Sequence, residues 1–160
     1  MTQTTTFTQP TEREIIISRV FAASRSLVWQ AWTDPRHVME WWGPTGFENL
    51  DCELDLRVGG SFRLSMRGPD NNVYPCTGTF SEIVEHERIV YEGIADDGHA
   101  CGAGLPPRAT VTVSFEPHDL GTKLTIHTLL PSAEATAAAR AGGYVEGWSG
   151  ALERLQAAIH

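Results

Sequence analysis

The stretch SAEATAAARAGGYVEGWSGALERLQAAI, residues 132–159, decides the fold, because its large apolar residues recur at the spacing of a helix. They follow one another at intervals of four, four, three and four residues, which places them on one helical face. These residues are Tyr144, Trp148, Leu152, Leu155 and Ile159, with Ala141 extending the stripe towards the N-terminus. Ser132 follows a proline and is a suitable N-cap. The pattern predicts one long amphipathic helix over Ser132–Ile159.

The chain before this helix is dominated by alternating apolar and polar residues, which is the pattern of half-buried strands. A first strand is predicted over Glu14–Phe21, and six more between Phe47 and Leu130. Two short helices are predicted after the first strand, from Ser24 to Trp32 and from Pro35 to Trp42. The fold class is therefore α+β: a curved antiparallel sheet wrapped around a long C-terminal helix, with two short helices after strand 1.

Three further segments complete the predicted organisation. Residues 1–11 are rich in Thr and Gln and are expected to be a disordered tail, which leaves 12–160 as a single domain. The Gly- and Pro-rich stretch Ala95–Pro107 is expected to be a mobile loop. The strand after Phe47 is expected to place four apolar residues on its inward face. They are Leu50, Cys52, Leu54 and Leu56.

The charge balance excludes several classes of partner. The 160 residues contain 12 Lys and Arg against 20 Asp and Glu, a net charge of -8, whereas binding to nucleic acids or anionic membranes needs a basic face. No apolar run approaches the roughly 20 residues of a membrane span. Cys52, Cys76 and Cys101 are widely spaced and odd in number, which favours reduced thiols and a cytoplasmic location.

Motifs for catalysis or metal binding are weak. The six histidines are dispersed, and none forms a His-Glu-x-x-His pattern. His99 and Cys101 alternate in the predicted loop, but a zinc site there lacks further ligands nearby. No Gly-x-Ser-x-Gly elbow is present. We therefore predict no metal, no cofactor and no catalytic residue, and an enzymatic activity is not favoured.

Several motifs resemble one known family. They are VWQAWTDPRHVMEWWGP (28–44), DLRVGGSFRLSM (55–66), Gly78-Thr79-Phe80 and GWSGALERL (147–155). Together they resemble the activator of heat-shock-protein-90 ATPase homologue-like family of the START-like superfamily, also called SRPBCC, which shares the helix-grip fold of the birch-pollen allergen. The resemblance implies one START-like helix-grip domain. It does not imply a reaction, because the superfamily includes lipid carriers, hormone receptors, cyclases and chaperone activators.

The predicted function is binding of a small apolar or amphipathic ligand in a cavity between the sheet and the C-terminal helix. The candidate ligand-binding residues are large side chains on the predicted inward faces, with the tryptophan pair at the cavity mouth. They are Trp41, Trp42, Phe62, Leu64, Met66, Tyr74, Phe80, Tyr91, Val113, Phe115, Tyr144 and Trp148. The glycines at 142 and 143 either make room for the ligand or break the helix without one.

Two other functions stay open at this stage. A cyclase or hydrolase on the same fold would need an ionisable residue inside the cavity. A chaperone regulator, another protein partner or a homodimer would be favoured by a closed core filled with side chains. Arg19, the one charge on the inward face of the first strand, would reach a ligand acid or extend to water.

Overall fold

The structure is a computed structural model that describes residues 5–43, 45–93 and 108–159. Within these residues the chain forms eight strands and four helices. The strands are β1 Thr6–Thr8, β2 Glu14–Phe21, β3 Glu48–Leu54, β4 Ser61–Arg67, β5 Val73–Val84, β6 Arg88–Gly93, β7 Thr110–His118 and β8 Gly121–Leu129. The helices are α1 Arg25–Thr33, α2 Pro35–Trp41, α3 Ala133–Ala141 and α4 Tyr144–Ala158.

The strands form one antiparallel sheet in the order β1-β2-β8-β7-β6-β5-β4-β3, and α4 packs its apolar stripe against it. Buried residues alternate along β2, β4, β7 and β8, so one face of the sheet carries the core. The α4 residues Tyr144, Trp148, Leu152 and Leu155 are buried in that core. The predicted fold class, a sheet wrapped around a C-terminal helix, is confirmed.

The C-terminal segment is two helices rather than the single helix predicted over Ser132–Ile159. Ser132 does cap the first of them, since its side chain accepts a hydrogen bond from the Ala135 N–H at 3.0 Å. Gly143 then adopts a left-handed backbone with φ 91°, which a residue without a Cβ tolerates and which ends the helical path. Ala141 is exposed and does not belong to the buried stripe. The prediction was wrong at this break because the apolar spacing continues across it.

The inward face predicted for the strand after Phe47 is also wrong in part. The register between β3 and β4 shifts between Asn49 and Asp51, and the bulge turns Leu50 outwards, where it is 37% exposed. Leu56 lies beyond the end of β3 and is 38% exposed. Cys52 and Leu54 stay half-buried against the core. A single inserted residue therefore changed which side chains face inwards.

The N-terminal residues do not all form a tail. Strand β1 pairs with β2, where Thr6 lies opposite Ser18 and the two hydroxyls share a hydrogen bond of 2.7 Å. Phe7 packs against the core, and the Arg140 guanidinium lies 4.7 Å from its ring centre. The prediction of disorder over residues 1–11 therefore fails for Thr6–Thr8, which backbone pairing and one aromatic contact hold in place.

The two short helices are confirmed. Ser24 accepts a hydrogen bond from the Leu27 N–H at 3.3 Å, and Asp34 accepts one from the Arg36 N–H at 3.0 Å. Pro35 occupies the first position of α2, where its missing N–H is not needed. The two helices are tied together because the Trp41 indole N–H donates to the Ala31 carbonyl at 2.9 Å. They therefore form one unit that packs near the β3 end of the sheet.

The cysteines differ from the expectation of three free thiols. Cys52 is free and half-buried, but Cys76 is disulfide-bonded. Cys101 and the predicted loop Ala95–Pro107 lie outside the described residues. Because Cys76 is disulfide-bonded, reduced thiols no longer support a cytoplasmic location, which stays a prediction. In the described part of the chain, no helix is long and apolar enough to cross a membrane.

Candidate functional site: an apolar cleft beneath the short helices

An apolar cleft lies between the two short helices and the β3–β6 part of the sheet. The empty space of the cleft, including its open mouth, is about 350 Å³. The centre of a water-sized molecule can occupy about 30 Å³ of it. Its lining residues are Trp32, Val38, Trp42, Leu54, Phe62, Leu64, Phe80, Ile89 and Tyr91. We call this site the α1–α2 cleft. Its interior has room for roughly two water molecules, or for one small chemical group.

The sheet side of the cleft follows from strand alternation and from one glycine. Phe62 and Leu64 are inward residues of β4, and Gly78 lies opposite Phe62 on β5. A Cβ at position 78 would lie 2.5 Å from the Phe62 ring, so only glycine lets that ring lie across β5. Phe62 then contacts Phe80 at 5.4 Å and the edge of Tyr91 at 5.1 Å between ring centres. These contacts hold the rings of Phe62, Phe80 and Tyr91 in one arrangement.

The helix side of the cleft is a cluster of tryptophans. Trp32 stacks on Trp148 of α4 at 5.7 Å with the two planes 12° apart, and it meets the edge of Trp42 at 6.2 Å. Trp42 meets Trp148 edge to face at 5.3 Å. The cluster therefore connects α1, the end of α2 and α4, and it positions Trp32 and Trp42 over the sheet.

Three lining residues carry a buried polar atom that has no hydrogen-bond partner among the described residues. These atoms are Trp32 Nε1, Trp42 Nε1 and the Tyr91 hydroxyl oxygen. A tyrosine keeps its proton at neutral pH in any case, and burial together with the nearby Tyr144 raises the pKa of Tyr91 well above its ordinary value. Buried polar groups are normally paired, and leaving one unpaired destabilises a protein by about 1–3 kcal/mol. The three atoms have almost no accessible surface, so they lie behind the apolar wall of the α1–α2 cleft rather than on it.

The structure brings together five of the twelve candidate residues and places the others elsewhere. The five that line the cleft are Trp42, Phe62, Leu64, Phe80 and Tyr91. Trp41, Met66, Val113, Phe115, Tyr144 and Trp148 are buried in the core without lining this space. Tyr74 is half-buried, and its hydroxyl donates to Asp70 on the adjoining turn.

Four lining residues were not among the candidates: Trp32, Val38, Leu54 and Ile89. Trp32 and Val38 lie on the short helices. Four of the five tryptophans lie between residues 29 and 42, and this density is the signal that could have identified this part of the molecule.

The α4 side chains that face the sheet, where the ligand cavity was predicted, are buried. Leu152 and Leu155 are fully buried and Trp148 is 2% exposed. The Tyr144 hydroxyl shares a hydrogen bond of 2.6 Å with Thr128 on β8. Burial raises the pKa of Tyr144 to about 12, and contacts of its hydroxyl with Thr128 and with the Trp148 indole oppose that rise.

Arg19 is buried and does not extend to water. It is 8% exposed on the inward face of β2, and it donates to the Thr5 hydroxyl at 3.1 Å. No carboxylate among the described residues pairs with it, and its Nε has no partner. Arg19 does not line the α1–α2 cleft, so it offers that site no charge.

The described residues around the cleft carry no carboxylate, imidazole or thiol. Across the described ranges, no three His, Cys, Asp or Glu side chains lie close enough together to hold a metal ion.

A larger groove lies between the short helices and the end of α4. The centre of a water-sized molecule can occupy about 170 Å³ of it. It is lined by Leu27, Gln30, Ala31, His37, Trp41, Ala158 and Ile159. None of these residues holds a buried polar atom that lacks a partner. We prefer the α1–α2 cleft as the candidate site, because apolar and aromatic side chains line it throughout, whereas Gln30 and His37 form part of the groove wall.

The sequence model of the family described as activator of Hsp90 ATPase homolog 1-like protein matches residues 22–160. No curated protein matches the chain. A crystal structure of a Nitrosomonas europaea protein has 25% identity and a TM-score of 0.83, covering 94% of this chain and 96% of that one. A Mycobacterium smegmatis protein has 28% identity and a TM-score of 0.80, covering 96% of each chain. An AHSA1-like protein from Aeromonas hydrophila, 22% identical, has a TM-score of 0.71 over 91% of this chain and 90% of that one, and shares the fold.

Proposed function

Because the chain belongs to the family of activator of Hsp90 ATPase homolog 1-like proteins, we propose that it uses this fold as a binding module for a small, mostly apolar ligand. The ligand would enter the α1–α2 cleft rather than the region beneath α4, where the side chains are buried. One observation carries the proposal: an open cleft that is lined by apolar and aromatic side chains. Ligand sites in proteins are typically concave and mainly apolar.

The size of the cleft limits what it holds as it stands. With about 30 Å³ for a water-sized molecule, the interior accepts one end of a ligand, and the rest of the ligand would lie in the open mouth. Leu54 is the half-buried lining residue, so it is in contact with both the cleft and solvent. A ligand of one ring with a short substituent is the expected minimum.

The proposal is tested by titrating the methyl-labelled protein with ethylbenzene and recording nuclear magnetic resonance spectra. We expect saturable shifts of the Val38, Leu54, Leu64 and Ile89 methyl groups, and little change elsewhere. Ile89→Phe places a larger side chain in the cleft, which reduces its empty space and should abolish the shifts. Ile16→Phe makes the same exchange at a half-buried position of β2 outside the cleft and should bind as the unchanged protein does.

Two results contradict the proposal. One is the absence of saturable shifts in the unchanged protein. The other is binding to Ile89→Phe that equals binding to Ile16→Phe when both variants give the spectra of folded proteins.

The buried side chains beneath α4 favour a second function, a regulatory contact with a protein partner. If the domain acts in this way, its core needs no ligand, and the titration above should show none. Sedimentation over a range of protein concentrations would then test the simplest partner, a second copy of the chain.

A further inference from the structure

We propose that the position of β1 at the edge of the sheet is a docking site for an extended acidic segment of a partner protein, which pairs with β2 in place of β1. The segment presents an aromatic side chain between two carboxylates, each two residues away from it. This inference does not depend on ligand binding in the α1–α2 cleft. It follows from two arginines that β1 contacts only with neutral groups, and from the small contact that holds β1 in place.

Arg19 is a buried charge that β1 pairs incompletely. Its side chain lies on the inward face of β2, where its Nη1 donates to the Thr5 hydroxyl at 3.1 Å. Its Nε has no partner among the described residues, and the Phe21 ring centre lies 5.9 Å from its guanidinium carbon. A buried charge is unfavourable unless it is paired, and the guanidinium matches the two oxygens of a carboxylate. A carboxylate at the position of Thr5 would therefore supply the missing charge.

Arg140 of α3 contacts the chain at the other end of β1. Its guanidinium carbon lies 4.7 Å from the Phe7 ring centre, and its Nη1 donates to the side-chain oxygen of Gln9 at 2.7 Å. No carboxylate in the described ranges forms an ion pair with Arg140. A carboxylate at the position of Gln9 would replace a neutral acceptor by a charged one, which makes a hydrogen bond roughly twice as strong.

The register of β1 sets the spacing of these contacts. Phe7 lies opposite Ile17, and continuing the same pairing places Thr5 opposite Arg19. Alternate residues of an extended chain point to the same face, so positions 5, 7 and 9 face inwards together. A segment with an aromatic residue at the middle position and carboxylates at the outer two would keep the ring contact and pair both arginines. The β1 of a second copy has neutral residues there and would gain neither pair.

The attachment of β1 allows such an exchange. The strand has three residues, of which Thr6 and Thr8 are exposed and Phe7 is half-buried against the core. Residues 9–13, which connect it to β2, are all exposed. Elements with few buried apolar contacts open at a low free energy. Release of β1 would give an incoming strand access to the backbone of β2 and to the Arg19 guanidinium.

The inference is tested with three dye-labelled peptides that have the sequence of residues 5–11. The acidic peptide carries Thr5→Glu and Gln9→Glu, the neutral one Thr5→Gln, and the basic one Thr5→Lys and Gln9→Lys. Each is titrated into the 160-residue chain at 0.15 M salt, which screens distant charges, and fluorescence anisotropy records binding. We expect the acidic peptide to bind about tenfold more tightly than the neutral one, as one charge-assisted hydrogen bond predicts. The basic peptide should bind most weakly.

Displacement of β1 is measured separately. The nuclear magnetic resonance signals of the Thr6, Phe7 and Thr8 amides should move to the positions of an unstructured segment when the acidic peptide binds. Phe7→Ala in the chain weakens the tethered competitor and should tighten binding of that peptide about tenfold. Phe47→Ala removes another half-buried phenylalanine, next to β3 at the opposite end of the sheet, and should bind as the unchanged chain does.

An arginine deletion tests the partner of the first carboxylate. Arg19→Gln should remove the preference for a peptide that carries Thr5→Glu alone, without weakening binding of the neutral peptide. Arg63→Gln neutralises an exposed, outward arginine of β4 and should leave the preference unchanged. The comparison of the three peptides on the unchanged chain needs no variant, so a folding defect in a variant does not weaken the test.

Four results would overturn the proposal. Equal affinities of the three peptides would remove the selection for acidic segments. Binding that leaves the β1 signals unmoved would place the peptide elsewhere. A dimer in sedimentation that Phe7→Ala dissociates would identify the β1 of a second copy as the occupant. Absence of peptide binding to both the unchanged chain and Phe7→Ala would remove the docking site, while the ethylbenzene titration of the cleft would stand on its own.

Discussion

The two halves of the sheet's inner face are packed differently, and two buried tyrosines show the difference. Beneath α4, the Tyr144 hydroxyl shares a 2.6 Å hydrogen bond with Thr128. Beneath α1 and α2, the Tyr91 hydroxyl is equally buried and has no partner. Burial is the largest cause of the raised pKa of each tyrosine, and the nearby Tyr144 raises the pKa of Tyr91 further. Burial alone therefore does not distinguish a paired polar group from an unpaired one.

The neighbouring side chains show the same contrast. Around Tyr144, the α4 stripe leaves Leu152 and Leu155 with no exposed surface. Around Tyr91, aromatic rings meet at their edges and leave the α1–α2 cleft between them. A side chain that borders empty space loses fewer contacts when it is truncated, so we expect truncations at the cleft to cost less stability than truncations beneath α4.

The largest expected effect tests the filled half. Trp148→Ala removes an indole that is 2% exposed and stacked on Trp32, and it should lower the free energy of unfolding by about 3–5 kcal/mol. Urea denaturation followed by circular dichroism measures it. The matched deletion in the cleft half is Leu54→Ala, at a half-buried position that already borders empty space, and its effect should be clearly smaller. Equal losses in the two variants would remove the contrast in packing.

The second prediction tests the paired tyrosine. Tyr144→Phe leaves the fully buried Thr128 hydroxyl without its partner, so we expect a loss of about 1–3 kcal/mol in urea denaturation. The control is the double variant Tyr144→Phe with Thr128→Val, which removes both polar groups and nearly keeps their shape. Its stability should return most of the way to that of the unchanged protein. A double variant as unstable as Tyr144→Phe alone would show that the hydrogen bond is not the cause.

Most of the fold could be predicted from the sequence because the signals are local. Alternation along β2, β4, β7 and β8 and the caps at Ser24 and Asp34 each depend on a few neighbouring residues. The break at Gly143 could not be predicted with the same certainty. The apolar spacing is kept across it, and only the left-handed backbone of one residue separates α3 from α4.

The candidate site was harder to predict because a cavity is a property of volume. Phe62 and Phe115 both face inwards on alternating strands, yet one lines the cleft and the other contacts Trp29 and Trp32 in a filled region. Alternation identifies the inward face and says nothing about what remains empty behind it. The sequence likewise does not show that the Tyr91 hydroxyl lacks a partner, because a partner would have to come from a distant segment of the chain.

The last prediction concerns Tyr91, where we expect the smallest effect. It is also the most direct test of the difference between the two tyrosines. Tyr91→Phe removes a hydroxyl that is 3% exposed and makes no hydrogen bond, so nothing is left unpaired by its loss. Its burial is itself unfavourable, and we therefore expect the free energy of unfolding to stay unchanged or to rise by up to about 1 kcal/mol. Urea denaturation beside Tyr144→Phe gives the comparison directly, because the two variants delete the same atom from two buried rings. A loss of stability in Tyr91→Phe as large as that in Tyr144→Phe would mean that the Tyr91 hydroxyl has a partner in the folded protein.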